Sequence, residues 1–294
     1  MNEQRGASRP VVFVSGAPGH VGSELVRLLA ARGAIVRALV HNAERGAALG
    51  APHVELVQGD LADAGAYAPA LAGVGAVFVN SSSLAVRLQA DLVRAAAAAG
   101  VGRLVKLSWM GVSGATQHGV GGPHAAVEQA MRETGVPAVV LRANAFMQNY
   151  LPQIAARGPS SLFVTSNRAR ASIVDACDVA AVAAELLLTE RQHDDVYDVT
   201  GPQALSNDEI AAAVAAVTGR PVGVTRLSTG QLADAYHRSG QPEWLAGELA
   251  STEALRESGA LEPVSDAVEA LLGRSPETFD RFVRRAWEAL QRPQ

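Results

Sequence analysis

Short apolar runs alternate with longer amphipathic stretches along the first half of the chain. Val11-Val12-Phe13-Val14 is unbroken apolar sequence, a glycine cluster follows, and Val21, Leu25 and Leu28 then recur on one helical face as far as Gly33. An uninterrupted apolar run of this length predicts a strand buried on both faces, and the wider spacing predicts a helix lying against it. The alternation returns with strands at 34–40, 54–58, 76–79, 103–108 and 136–142. Between them lie helical patterns at 67–71, at 125–134 with Val127 and Met131 inward, and around Leu84, Leu88 and Leu92, the last stopping at Gly100. Strand and helix in regular alternation imply an α/β fold built on a parallel, doubly wound sheet.

Past Arg142 the rhythm changes. Large side chains gather in Asn144-Ala145-Phe146-Met147-Gln148-Asn149-Tyr150-Leu151, and short strands are expected at 162–164, 171–174 and 196–199. Asp178 is expected to cap a helix whose Val179, Val182, Ala183, Leu186 and Leu187 form a core face. Ser206-Asn207-Asp208-Glu209 has the form of a capping box, opening a helix that Gly219 closes. Ser275-Pro276-Glu277 starts a last helix with Phe279, Phe282, Val283, Ala286, Trp287 and Leu290 along one side.

The glycine cluster carries the first chemistry. Ser15-Gly16-Ala17-Pro18-Gly19-His20-Val21-Gly22 joins the first strand to the first helix. A dinucleotide diphosphate needs a tight turn, a backbone without Cβ atoms in the way, and the free N–H groups of a helix start; Gly16, Gly19 and Gly22 supply these. The fold is therefore expected to be of Rossmann type, with residues 1–145 as the dinucleotide-binding domain. Residues 146–294 form a smaller, mostly helical mixed α/β substrate-binding region, with the helix at 178–190 and the strand near 172–175 packing on the first domain.

The second strand ends at His41-Asn42, with Arg45 just beyond and no Asp or Glu at 40–42. A carboxylate there would accept the ribose hydroxyls of NAD, whereas cations accommodate the 2′-phosphate of NADP, so the pattern favours NADP. Asp60 and Leu61 at the end of the third strand are expected beside the adenine, and Asn80, Ser81 and Ser82 after the fourth beside the ribose. Ser108 closes the fifth strand and is a candidate for both cofactor contact and catalysis. Trp109, Met110, Phe146, Met147 and Tyr150 lie just beyond strands five and six and suggest an apolar, aromatic-sized substrate. The glycine-rich stretch 111–122 has the character of a substrate flap. Tyr236 and Trp244, at 231–244, are candidate substrate walls.

Composition narrows the classes. The chain has 294 residues, 48% hydrophobic and 18% charged, and a formal net charge of −4. That is ample for a sizeable core and lacks the basic stripe that nucleic acid requires. No apolar stretch is long enough to span a bilayer and residues 1–10 are polar without a signal-peptide core, so a cytoplasmic protein is expected. Cys177 is the one cysteine, which rules out an internal disulfide and a cysteine-based metal site and reads as a buried thiol. No metal is expected, and the state is monomer or homodimer. Lys106 is the one lysine.

Several segments together resemble the NmrA-like group of atypical short-chain dehydrogenases/reductases over nearly the whole chain. They are the glycine loop, Gln58-Gly59-Asp60-Leu61 with Ala70-Leu71-Ala72-Gly73-Val74, Val105-Lys106-Leu107-Ser108, Gly135-Val136-Pro137, the run from Leu141 to Asn149, and Tyr197-Asp198-Val199-Thr200-Gly201-Pro202. The resemblance implies an NADP-dependent reductase of quinone-, azo-, enone- or imine-like small molecules, and places Asn144 among the cofactor-binding residues. The group also contains non-catalytic NADP-binding regulators that signal to a protein partner. A third reading keeps the fold and uses bound cofactor for epimerisation or dehydration.

The chain departs from typical short-chain dehydrogenases in its proton donor. Those enzymes pair a tyrosine with a lysine four residues on, but Tyr67, Tyr150, Tyr197 and Tyr236 are followed at that spacing by Leu71, Ile154, Gly201 and Gly240. Lys106 stands mid-strand and cannot replace that lysine. The position that holds the active-site lysine of isoflavone-reductase-like relatives is His124 here, with Glu128 four residues on. With an unperturbed pKa of ~6.5, a histidine there can bind the cofactor and donate a proton near neutrality.

Overall fold

A computed structural model describes residues 9–112, 121–189, 193 and 195–292. Its strands are β1 (Val11–Val14), β2 (Ile35–Val40), β3 (Val54–Gln58), β4 (Ala76–Val79), β5 (Arg103–Trp109), β6 (Ala138–Ala143), β7 (Ser160–Val164), β8 (Arg170–Ala171), β9 (Val196–Val199), β10 (Leu205–Ser206) and β11 (Val222–Arg226). The helices are α1 (His20–Ala31), α2 (Ala43–Ala47), α3 (Ala64–Tyr67), α4 (Gln89–Ala98), α5 (Gly121–Thr134) and α6 (Leu151–Ala155), followed by α7 (Ala176–Leu188), α8 (Asn207–Thr218), α9 (Thr229–Arg238), α10 (Glu243–Glu257), α11 (Ala267–Leu272) and α12 (Phe279–Gln291).

The main sheet has seven strands in the order β3-β2-β1-β4-β5-β6-β9, and β1 pairs in parallel with both β2 and β4. This is the doubly wound order expected from the alternating pattern. Between β3 and β4 the chain crosses over β1, so the order reverses between β1 and β4. Ligands of open α/β sheets lie outside the carboxyl ends of the strands at such a point.

The chain divides into two compact units: Met1–Leu107, Ala126–Val140 and Ala180–Asp195 form one, and Ser108–Ala125, Leu141–Val179 and Val196–Gln294 the other. The first is built on Phe13, Leu71, Val77, Leu92, Leu104, Val127 and Met131, all buried. Leu84 does not join that core: the segment Ser83–Leu88 is a 3-10 turn preceding α4, which leaves Leu84 57% exposed and turns Val86 and Gln89 inward.

The second unit has its own core of Met147, Ile154, Ile173, Ile210, Phe279, Phe282 and Val283. Two small sheets support it, a parallel β7–β11 pair and an antiparallel β8–β10 pair. The capping box of α8 forms as its sequence implies, with Ser206 and Glu209 satisfying each other's backbone N–H and Gly219 closing the helix at φ 68°.

Several boundaries differ from the pattern, each for a local reason. Asp175, not Asp178, caps α7: its Oδ1 accepts from the Cys177 N–H at 3.0 Å. Asp178 lies within the first turn and pairs with Arg274 at 2.7 Å. Cys177 is half-buried rather than buried. Thr278 caps α12 through the Arg281 N–H, so Ser275-Pro276-Glu277 precede the helix and Leu290 stands 51% exposed. The final third also holds a strand, β11, that helical spacing did not reveal.

Candidate functional site

Gly16 follows β1 with φ +66°, a left-handed conformation that glycine adopts without steric cost. A Cβ there would lie 2.8 Å from Asn80 Nδ2, and one on Gly22 would lie 2.2 Å from the Gly16 carbonyl oxygen. The chain thus folds back on itself through space that side chains cannot share. Gly19 donates to Gly16 O at 3.1 Å and serves as the N-cap of α1 in an extended conformation, with no side-chain cap and no acidic residue in the first turn. The first N–H groups of a twelve-residue helix are left to an outside acceptor, and the helix dipole favours an anion there. A dinucleotide diphosphate fits this loop. Pro18, Gly19 and His20 are exposed, whereas Ala17, Val21 and Gly22 are buried against the sheet.

Asn80 and Ser81 close the other side of the reversal point. Ser15, wholly buried, joins the two strand ends: its hydroxyl donates to the Asn80 carbonyl at 2.8 Å and accepts from the Asn80 N–H at 2.9 Å. Ser81 Oγ accepts from Gln89 Nε2 at 2.7 Å and donates to the Ser82 carbonyl at 3.0 Å. Gln89 Oε1 in turn accepts from Lys106 Nζ at 2.7 Å. Lys106 is 0% exposed and Glu128 2% exposed. Burial pulls the lysine down to about 7 against the opposing pull of the Glu128 carboxylate.

At the end of β2, His41 Nδ1 lies 3.3 Å from Asp60 Oδ2, both side chains exposed. The carboxylate absent from 40–42 therefore arrives from the end of the neighbouring strand. Asn42 spends its side-chain oxygen on the Glu44 N–H, capping α2. Arg45 lies in α2, its side chain outside those described. The Leu61 side chain is 6% exposed and packed in the first core, so only its backbone is available to a ligand.

The remaining candidates lie in the second unit. Ser108 and Met110 are 4% and 5% exposed. Trp109 packs its ring over Gly111, where a Cβ would come within 2.1 Å of the indole. Asn144 is 1% exposed and fully committed: its amide donates to Ser172 Oγ and Leu261 O, both at 2.9 Å, and its carbonyl accepts from the Ala145 N–H at 2.7 Å. It is a clamp within the unit, with both amide hydrogens spent there. Met147 is a core residue at 1% exposure. Phe146 is half-buried and bridges to Val174.

Tyr150 stacks edge-on against Phe279 with ring centres 5.5 Å apart, and its hydroxyl accepts from Arg256 Nη1 at 3.5 Å. Tyr236 comes into the same neighbourhood, and burial, then Glu253 and Tyr150, push its hydroxyl up to about 12. Trp244 is 48% exposed near the start of α10 and makes no enclosed wall. His124 is half-buried in the first turn of α5, which begins at Gly121, earlier than the pattern suggested. Of the stretch 111–122 proposed as a flap, residues 113–120 lie outside the described ones.

Sequence spacing missed the Gln89–Lys106–Glu128 group. The signal was a lone lysine inside the apolar stretch Leu104–Leu107 of β5. Among the described residues no group of three or more His, Cys, Asp and Glu side chains could hold a metal ion, and no helix is long and apolar enough to cross a membrane.

A Rossmann-type sheet with a glycine cradle at its reversal point defines the class: a dinucleotide-binding α/β protein. The model of the NmrA-like family matches residues 8–283, and the chain belongs to that family. It is 34% identical over 277 residues to an NAD(P)H azoreductase of Xenophilus azovorans, covering 93% of this chain and 97% of that one. Its fold is that of the NADPH complex of quinone oxidoreductase QOR2 from Escherichia coli, at TM-score 0.81 and 24% identity over 93% and 99% of the two chains. It is likewise that of the Citrobacter sp. triphenylmethane reductase complexed with NADP(H), at TM-score 0.79 and 23% identity over 94% and 99%. Within the family the chain is an oxidoreductase.

Proposed function

We propose that the protein is an NADPH-dependent reductase of a small, apolar, conjugated acceptor of the quinone, azo, enone or imine type. The observation that carries this reading is the loop Gly16–Gly22, whose geometry excludes Cβ atoms and leaves the start of α1 uncapped. The azoreductase relative, matched along nearly its whole length, supports the reaction class.

When bound, the reduced nicotinamide supplies the hydride. The protein's part is to hold and to shield. Main-chain N–H groups of the glycine loop and α1 take the diphosphate, and Asn80 and Ser81 stand at the ribose. His41 stands at the adenosine end, where its Nδ1 lies 3.3 Å from Asp60 Oδ2, and Arg45 follows it in the sequence. Trp109, Phe146 and Tyr150 offer apolar surface to the acceptor, with Ser108 beside them.

His124 holds a proton at an imidazole nitrogen for the reduced product, the role a tyrosine plays in typical short-chain dehydrogenases. Acceptors whose reduced form is a stabilised anion or a neutral amine demand little of that acid, which suits a chain without the tyrosine-lysine pair.

The test is a panel of quinones, azo dyes, conjugated enones and iminium compounds mixed with purified protein and NADPH or NADH. The expected result is acceptor-dependent loss of the reduced nicotinamide absorbance, faster with NADPH. Nucleotide binding without turnover across the panel would overturn the reductase reading and leave a nucleotide-binding regulator.

A further inference from the structure

We propose that Lys106 is a positioning residue that orders the loop after β4 for nucleotide binding, acting through Gln89 and Ser81. The inference rests on the dinucleotide reading above and adds to it a residue that touches no ligand.

Hydrogen-bond polarity runs one way along the chain of contacts. An ammonium has three donors and no acceptor, so Lys106 Nζ meets the oxygen of the Gln89 carboxamide, at 2.7 Å, and its own strand's Leu107 carbonyl at 3.0 Å. With Oε1 so engaged, the Gln89 nitrogen must face the other way, and it donates to Ser81 Oγ at 2.7 Å. Ser81 then has its own proton left for the Ser82 carbonyl, at 3.0 Å. One buried cation thereby orients an amide, a hydroxyl and a peptide group in sequence.

The far end of this line is the reversal point of the sheet. Asn80, next to Ser81, is bonded twice to Ser15, and its side chain fills the space that a Cβ on Gly16 would need. The diphosphate loop and the loop after β4 are one assembly, and Lys106 anchors it from inside the core. Glu128 faces the ammonium from α5 and offsets part of its loss of water. Burying a charge is expensive unless it is paired and hydrogen-bonded, and Lys106 meets that condition through Gln89, the Leu107 carbonyl and the opposing Glu128 charge.

The experiment compares wild type with Lys106→Met, Gln89→Met, Ser81→Ala and the double variant Lys106→Met/Ser81→Ala. Two readouts are taken on each at about pH 6, below the folded pKa of about 7, so that Lys106 carries its proton: hydrogen exchange of the peptide spanning residues 78–84 without nucleotide, and the NADPH dissociation constant by calorimetry.

The expected result is faster exchange in that peptide and about tenfold weaker binding for each single variant, the usual scale for a hydrogen bond to a charged group. The double variant is expected to be no worse than its worse parent. Gln89→Met carries the test if Lys106→Met fails to fold. Unchanged exchange in folded Gln89→Met or Lys106→Met would overturn the proposal, and so would additive losses in the double variant. A wild type that binds no nucleotide would sink the dinucleotide reading instead, and the ordering of the loop would still be decided by the exchange readout.

Discussion

The hydroxyl of Ser15 both donates to and accepts from the backbone of Asn80, at 2.8 and 2.9 Å, which locks the end of β1 to the end of β4 where the strand order reverses. Replacing Ser15 by alanine leaves a part-buried N–H and a carbonyl without this partner. Ser15→Ala is expected to lower stability by about 1–3 kcal/mol and to weaken nucleotide binding, because the cradle is assembled from both strand ends. Denaturant titration and calorimetry read the two effects; an unchanged dissociation constant in a destabilised variant would separate fold from site.

Two glycines distinguish a steric requirement from a conformational one. Gly22→Ala places a Cβ 2.2 Å from the Gly16 carbonyl and 2.8 Å from Ala17 Cα, and backbone atoms at those distances must move. Nucleotide affinity is expected to fall by more than about tenfold, with about 1–3 kcal/mol of stability lost to overpacking. Gly33→Ala is a control: Gly33 has φ +81° with nothing within 4 Å of a new Cβ. It should lose about 1–2 kcal/mol of stability from backbone strain alone and bind nucleotide as before.

Asp60 beside His41 offers a direct test of nucleotide choice. Its carboxylate lies 3.3 Å from the imidazole and would repel a 2′-phosphate approaching the end of β2. Asp60→Asn is expected to improve NADPH binding relative to NADH by a few-fold, on the scale of one exposed charge interaction of about 0.2–1 kcal/mol. The ratio of the two dissociation constants is the readout, and a shift toward NADH would show that Asp60 accepts ribose hydroxyls instead.

Asn144 and His124 should separate cleanly. Each polar atom of the Asn144 side chain is already bonded inside the second unit. Asn144→Ala is therefore expected to lower thermal stability, by about 1–3 kcal/mol for the partners left unsatisfied. His124→Ala should reduce turnover most for acceptors whose product needs a proton. A fall in turnover for Asn144→Ala at full folding would show that it also serves the site.

The local signals that were legible in the sequence were those with a fixed physical period or a fixed backbone demand. The run Val11–Val14 followed by glycines at 16, 19 and 22 defined the first strand, the cradle and α1, because both burial and the left-handed turn are written in residue type. The Ser206–Glu209 capping box was legible for the same reason. What escaped depended on contacts far apart in the chain: Asp60 reaching His41 from the next strand, and Gln89 meeting Lys106 across 17 residues. The bond from Asn144 to the Leu261 carbonyl was not legible either, because a polar residue at a strand end reads the same whether it faces a ligand or a distant segment. The α10 segment has weak periodicity, and β11 pairs with a strand some sixty residues earlier.

Lys106 gives the chain a measurable signature in pH. Its folded pKa is pulled down to about 7 from the ordinary lysine value of 10.5, chiefly by burial, while Glu128 on α5 opposes the shift. Below about pH 7 the lysine is charged in both states, and the folded state bears the full penalty of a buried cation. Between about 7 and 10.5 the unfolded chain holds a proton that the folded chain has released, so the folded state gains stability as pH rises. The difference in unfolding free energy between wild type and Lys106→Met should be flat below pH 7 and then move in favour of wild type, with a slope approaching about 1.4 kcal/mol per pH unit. Denaturant titrations of both proteins from pH 6 to 10, a window bracketing about 7, measure it. A difference that stays flat across that range would mean the ammonium keeps its proton inside the core, with the Glu128 carboxylate outweighing the loss of water.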